Sequence, residues 1–140
     1  MKLLIVADSS ALFSLLIQTD KNHHLAIAIG KKLISSVGIL LIPAEVFAET
    51  VNILGKKTGK TNAVLAGQKL METDLFTIVE STNDIRNSAF SKFKNLPESV
   101  SFTDCIVMAF ADEFNTKLIF GFDETFKKNG YTRVGLDDKP

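Results

Sequence analysis

A single cysteine, Cys105, is present in the 140 residues, so no intramolecular disulfide can form. This suits a reducing compartment without requiring one. Net charge is also absent, because 16 Lys and Arg balance 16 Asp and Glu. No global field therefore draws the chain toward nucleic acid, and phosphates would have to be engaged by a local patch. Long hydrophobic runs are missing too. The apolar stretch before Asp8 is too short for a signal-peptide core with its cleavage site and far too short for a bilayer span, and no other stretch approaches one. The expectation is a soluble, cytoplasmic protein. There is no GxxxxGK[ST] or GxGxxG phosphate loop, no internal repeat, no low-complexity tract and no linker.

Hydrophobic residues make up 46% of the chain, enough to fill a core and to exclude intrinsic disorder. Length and pattern predict one domain over residues 1–136, followed by a polar tail, 137–140.

Leu3 to Ala7 is continuously apolar, the pattern of a strand buried on both faces. Asp8, Ser9 and Ser10 offer N-cap chemistry for a helix carrying Leu12, Phe13, Leu15 and Leu16. A second helix runs from Leu25 to Ile34, and Gly38 resets the pattern before a strand over Ile39 to Ile42. Pro43 suits the first turn of a helix that ends near Gly59. Further helices are predicted over Thr61 to Thr73 and Thr82 to Phe93, with a strand from Leu75 to Val79 between them. Thr103 is placed to cap an apolar helix through Ala111. A strand at Lys117 to Phe120, a short helix at Asp123 to Lys128 and a last strand at Tyr131 to Val134 complete the chain. This alternation implies βαβ units, a parallel sheet and helices on both faces. Ligands in such folds bind outside the carboxyl ends of the strands.

Asp8 and Asp123 follow strands and therefore fall at that edge, while Asp104 lies in the first turn of an apolar helix. Each has a structural reading as well, since an aspartate there caps a helix or offsets its dipole. Glu49 is different. Val46 and Ile53 stand at i−3 and i+4 from it, so apolar side chains flank the carboxylate, and an idle charge there is costly. It needs a cation, a proton or a metal. Glu45, one turn earlier, shares its face and competes for the same role.

Four segments then resemble, in order, the PIN-domain family and within it the VapC-like toxins. They are Val6-Ala7-Asp8-Ser9-Ser10-Ala11-Leu12, Val46 through Leu54 around Glu49, Ser101 through Ala111 around Asp104, and Phe120-Gly121-Phe122-Asp123-Glu124-Thr125-Phe126. The resemblance implies a three-layer α/β/α sandwich with a central, mainly parallel sheet of about four to five strands. It implies a metal-dependent endoribonuclease, the toxin of a toxin–antitoxin pair. Asp8, Glu49, Asp104 and Asp123 would coordinate Mg²⁺ or Mn²⁺, hard ions suited to oxygen ligands, and metal-activated water would attack RNA. Ser9 and Ser101 would orient a ligand or a water, helix capping being the alternative for both. The implied partners are an RNA substrate, a cognate antitoxin and a second copy in a homodimer. One departure stands out: Gly121 occupies a place where the family commonly has Thr or Ser, which removes a hydroxyl and leaves Glu124 as an alternative ligand to Asp123.

Other residues have plainer readings. His23 and His24 lack a spaced ligand partner and read as surface. Cys105 reads as a small core residue rather than a nucleophile. Eleven phenylalanines suggest base stacking, but most, including Phe47, Phe110 and Phe120, read as core, and Phe13, near Asp8, is the one placed to line the site. Lys56, Lys57 and Lys60, and Lys127 with Lys128, read as solvated helix ends. Two other functions remain open: a non-catalytic PIN-type RNA- or protein-binding module with a partial metal site, and a phosphoryl-transfer or receiver-like domain. Against the latter, Ser10 stands where a haloacid-dehalogenase-type domain would need a second aspartate.

Overall fold

The computed structural model describes residues 3–36 and 38–138. Its elements are β1 (Leu3–Ala7), α1 (Ser9–Leu16), α2 (His23–Ser35), β2 (Gly38–Pro43), α3 (Ala44–Thr58), α4 (Lys60–Glu72), β3 (Phe76–Val79), α5 (Asn83–Asn95), α6 (Phe102–Glu113), β4 (Leu118–Phe120), α7 (Glu124–Lys128) and β5 (Thr132–Arg133). The strands form one five-stranded sheet in the order β3-β2-β1-β4-β5, and every pairing is parallel. The chain therefore builds outward from β1 in one direction, then crosses back to add β4 and β5 on its other side. The switch point falls between β1 and β4, where α/β sheets open a crevice at their carboxyl edge.

The continuous apolar reading of β1 is explained by its central position. Ile5, Val6 and Ala7 are fully buried, because helices cover both faces of the sheet and leave no solvated side. Helix α6 is the most enclosed of the helices, with every residue from Cys105 to Ala111 buried. A helix apolar all round belongs inside rather than on the surface. The Thr116 hydroxyl donates to the Leu4 carbonyl at 2.7 Å and ties the turn after α6 to the central strand.

Two capping expectations are corrected. Pro43 ends β2 and caps α3 from outside instead of sitting in its first turn. Ser101, not Thr103, caps α6, in a reciprocal capping box with Asp104. The spacing Ser101-x-x-Asp104 before an apolar run carried that signal. In the segment read as a polar tail, Asp137 is engaged: its carboxylate accepts from Arg133 Nε at 2.8 Å and Nη2 at 2.9 Å. Lys139 and Pro140 lie outside the described residues.

Candidate active site

Asp8 leaves the end of β1 with extended backbone and caps α1. Its Oδ2 accepts from the Ser10 amide at 3.2 Å and the Ser10 hydroxyl at 2.7 Å. The same hydroxyl accepts from the Phe122 amide at 3.1 Å. Ser10 therefore links the loop after β1 to the loop after β4, across the switch point. Sequence reasoning favoured Ser9 for this kind of role, yet Ser10 is the serine on the carboxylate. Asp8 is only 3% exposed, and its carboxyl is pushed up to about 6. Burial is the chief cause, opposed by the Ser10 hydroxyl and reinforced by the charges of Asp104 and Glu49.

Gly121 makes this packing possible. A Cβ there would stand 2.9 Å from Asp8 Cβ and 3.0 Å from Phe126 Cε2. The missing hydroxyl at this position is thus also a missing side chain for which the structure has no room.

Glu49 lies half-buried on α3, and its Oε2 is buried with no hydrogen-bond partner among the described residues. Glu45 shows the same condition at Oε1, but its Oε2 accepts from the Ser81 hydroxyl at 2.7 Å. A buried carboxylate oxygen without a donor is costly. Two such oxygens one turn apart form an electron-rich face on α3.

Asp104 is half-buried in the first turn of α6. Its Oδ2 accepts from the Ser101 amide at 3.1 Å, while its own amide donates to Ser101 Oγ at 3.0 Å. Burial raises its carboxyl, the Ser101 bonds lower it, and the charge of Asp123 raises it again. Asp123 is exposed and caps α7, accepting from the Thr125 amide at 2.9 Å. Glu124 beside it is exposed too. Arg133 braces this corner by donating from Nη1 to the Phe122 carbonyl at 2.9 Å. Its guanidinium is held protonated chiefly by Asp137, with the charges of Glu124 and Asp123 adding to the effect.

The four carboxylates therefore sense one another in a chain, Glu49 and Asp104 acting on Asp8 and Asp123 on Asp104. They do not meet as a closed cage. Among the described residues no three His, Cys, Asp or Glu side chains stand close enough together to hold a metal ion. The donor set still suits a hard divalent cation: all oxygen, several charges, and on Glu49 a buried oxygen lacking any donor.

The remaining candidates have structural roles. His23 Nδ1 lies 2.8 Å from the Ser14 carbonyl, a structural contact. Cys105 is buried, and burial pushes its thiol up, the opposite of a nucleophile's need. Lys57 rests over the Phe13 ring, with Nζ 5.3 Å from the centroid.

The PIN domain model matches residues 5–130, and the chain belongs to the PIN domain family. No curated protein sequence matches it. Among solved structures it is similar to Mycobacterium tuberculosis VapC20, described as a sarcin–ricin loop cleaving toxin. The TM-score is 0.81 at 23% identity, covering 93% of this chain and 98% of that one. At that identity the likeness shows the fold: the sandwich and parallel sheet that the resemblance implied.

Proposed function

We propose that the protein is a divalent-metal-dependent endoribonuclease of the VapC-like kind, whose site is Asp8, Glu49, Asp104 and Asp123. The observation that carries the reading is the run of mutually repelling carboxylates at the sheet's carboxyl edge. Asp8 is destabilised there by burial and by two neighbouring charges, and Glu49 offers a buried oxygen with no donor. A cation relieves both conditions at once. Asp8, Glu49 and Asp104 would hold Mg²⁺ or Mn²⁺, with Asp123 or the adjacent Glu124 completing the set. Such an ion, when bound, neutralises phosphate charge and makes water a stronger nucleophile.

The chain's own groups do the rest. Ser10 fixes Oδ2 of Asp8, and the capping box fixes Asp104 at the start of α6. Arg133 holds the Asp123 loop through the Phe122 carbonyl. The likeness to a sarcin–ricin loop cleaving toxin supports RNA as substrate and a cognate antitoxin as partner, and a homodimer belongs to the same proposal. No described helix is long and apolar enough to cross a membrane.

Purified protein with Mn²⁺ or Mg²⁺ should cleave single-stranded or structured RNA, and Asp8→Asn should abolish cleavage. Equal cleavage by the variant would overturn the assignment. A second reading, a binding module with a partial metal site, is favoured by one observation: no closed ligand cluster forms among the described residues. Metal-dependent turnover of RNA by the wild type but not by Asp8→Asn separates the two.

A further inference from the structure

We propose that Phe90, Phe93 and Phe102 form a platform on which unpaired bases of single-stranded RNA stack beside Asp104. The proposal rests on the ribonuclease reading of the carboxylates and adds where the substrate lies.

Large phenylalanines such as Phe110, Phe120 and Phe126 are fully buried, whereas Phe90 is 56%, Phe93 42% and Phe102 37% exposed. Phe102 joins the other two. Phe102 meets Phe90 at a centroid distance of 6.2 Å and 78°, and Phe93 at 5.7 Å and 85°. Edge-to-face contacts brace the rings without consuming all their faces, so a contiguous aromatic surface remains in water. Such a patch marks an interaction site more often than a scattered exposed side chain does.

The charges around the patch favour a nucleic acid over a protein partner. Along α5, Arg86, Phe90, Phe93 and Lys94 recur at helical spacing on one face, and all four are exposed. Arg86 lies one turn before the rings, with its guanidinium donating to the Ser81 carbonyl and to Asn83 while keeping its charge, Lys94 lies after them, and the only acid in the first turn of α5 is Asp84. Lys94 has no carboxylate within salt-bridge distance among the described residues. Cations in line with exposed rings suit a strand that presents phosphates and bases together. In a chain without net charge, this is the local patch that phosphate binding requires. Phe102 is the first residue of α6 and Asp104 the third; residues two apart point to different sides of a helix, so the platform shares an end of α6 with the candidate site.

Fluorescence anisotropy of a labelled single-stranded oligoribonucleotide tests this, in an Asp8→Asn background that leaves the strand intact. Phe90→Ala with Phe93→Ala should weaken binding roughly tenfold or more. Phe90→Leu with Phe93→Leu, which keeps apolar bulk but no ring, should lose a similar factor, whereas Tyr at both positions should retain affinity. A strand of the same length with abasic sites should bind parent and Ala variant alike. Unchanged affinity for the intact strand, or an equal loss on the abasic one, would overturn the platform. So would a sedimentation shift from dimer to monomer with RNA binding intact, which would mark a contact between copies. Wild-type cleavage is read separately. If it persists while the patch variants bind normally, only the platform fails; if wild type neither binds nor cuts RNA, the ribonuclease reading fails with it.

Discussion

Gly121 packs against Asp8 so closely that any side chain at 121 would intrude on the carboxylate's own Cβ, 2.9 Å away. A residue with no chemistry of its own thereby sets the position of the most buried acid. Gly121→Ala should destabilise the protein by about 1–3 kcal/mol, the usual range for overpacking a filled core. Gly121→Thr, which supplies the hydroxyl common in the family, should be worse still and should not raise activity. Urea unfolding of both variants measures the effect.

Asp8 gives the fold a distinctive dependence on pH. In the metal-free protein its carboxyl titrates at about 6, against 3.8 for an ordinary aspartate. Between those values the folded state binds more protons than the unfolded one, so stability falls as pH rises through the window. Above about pH 6 the full penalty applies, on the order of 3 kcal/mol. Asp8→Asn should flatten this slope and should unfold at higher denaturant than wild type at pH 7.5 in the presence of a chelator. Wild type and variant melts at pH 5 and pH 7.5 give the comparison.

Ser10→Ala removes a 2.7 Å bond to Asp8 and strands the Phe122 amide that the hydroxyl accepts from. The expected loss is about 1–3 kcal/mol, with metal affinity falling as well, because Asp8 loses the group that orients it. Ser9→Ala should change metal affinity less. Titration with Mn²⁺ followed by calorimetry distinguishes the two serines.

The cap of α6 makes a separate test of local structure. Ser101→Ala should cost about 1 kcal/mol, whereas Thr103→Ala, which removes no capping bond, should fall within about 0.5 kcal/mol of wild type. Thermal unfolding suffices for both.

The alternation of strand and helix was readable because β1, β2 and β4 are short continuous apolar runs and each helix has its own period, whereas β5, Thr132–Arg133, carries no apolar residue. Asp8 and Asp123 were placed at the carboxyl edge on the same grounds, and both cap the helices that follow. Glu49 stood out because Val46 and Ile53 flank it. What the residues alone did not reveal was mostly tertiary. Ser9 and Ser10 carry the same hydroxyl, and only the folded structure shows that Ser10 is the one bonded to Asp8. The bond from Arg133 to the Phe122 carbonyl spans two loops with no signal in either. The reason for Gly121 is visible only once α7 brings Phe126 against it. The capping box at Ser101 was the exception, since its spacing could be read directly.

A crystal structure of the protein with Mn²⁺, read by anomalous scattering, decides whether the repelling carboxylates are a divalent-cation site. One or two Mn²⁺ ions are expected at the carboxyl edge, ligated by oxygens of Asp8, Glu49 and Asp104, with Asp123 or Glu124 beside them. Glu49→Gln crystals should show the peak weakened or gone. Well-ordered wild-type crystals at millimolar Mn²⁺ with no anomalous density among these residues would contradict that assignment.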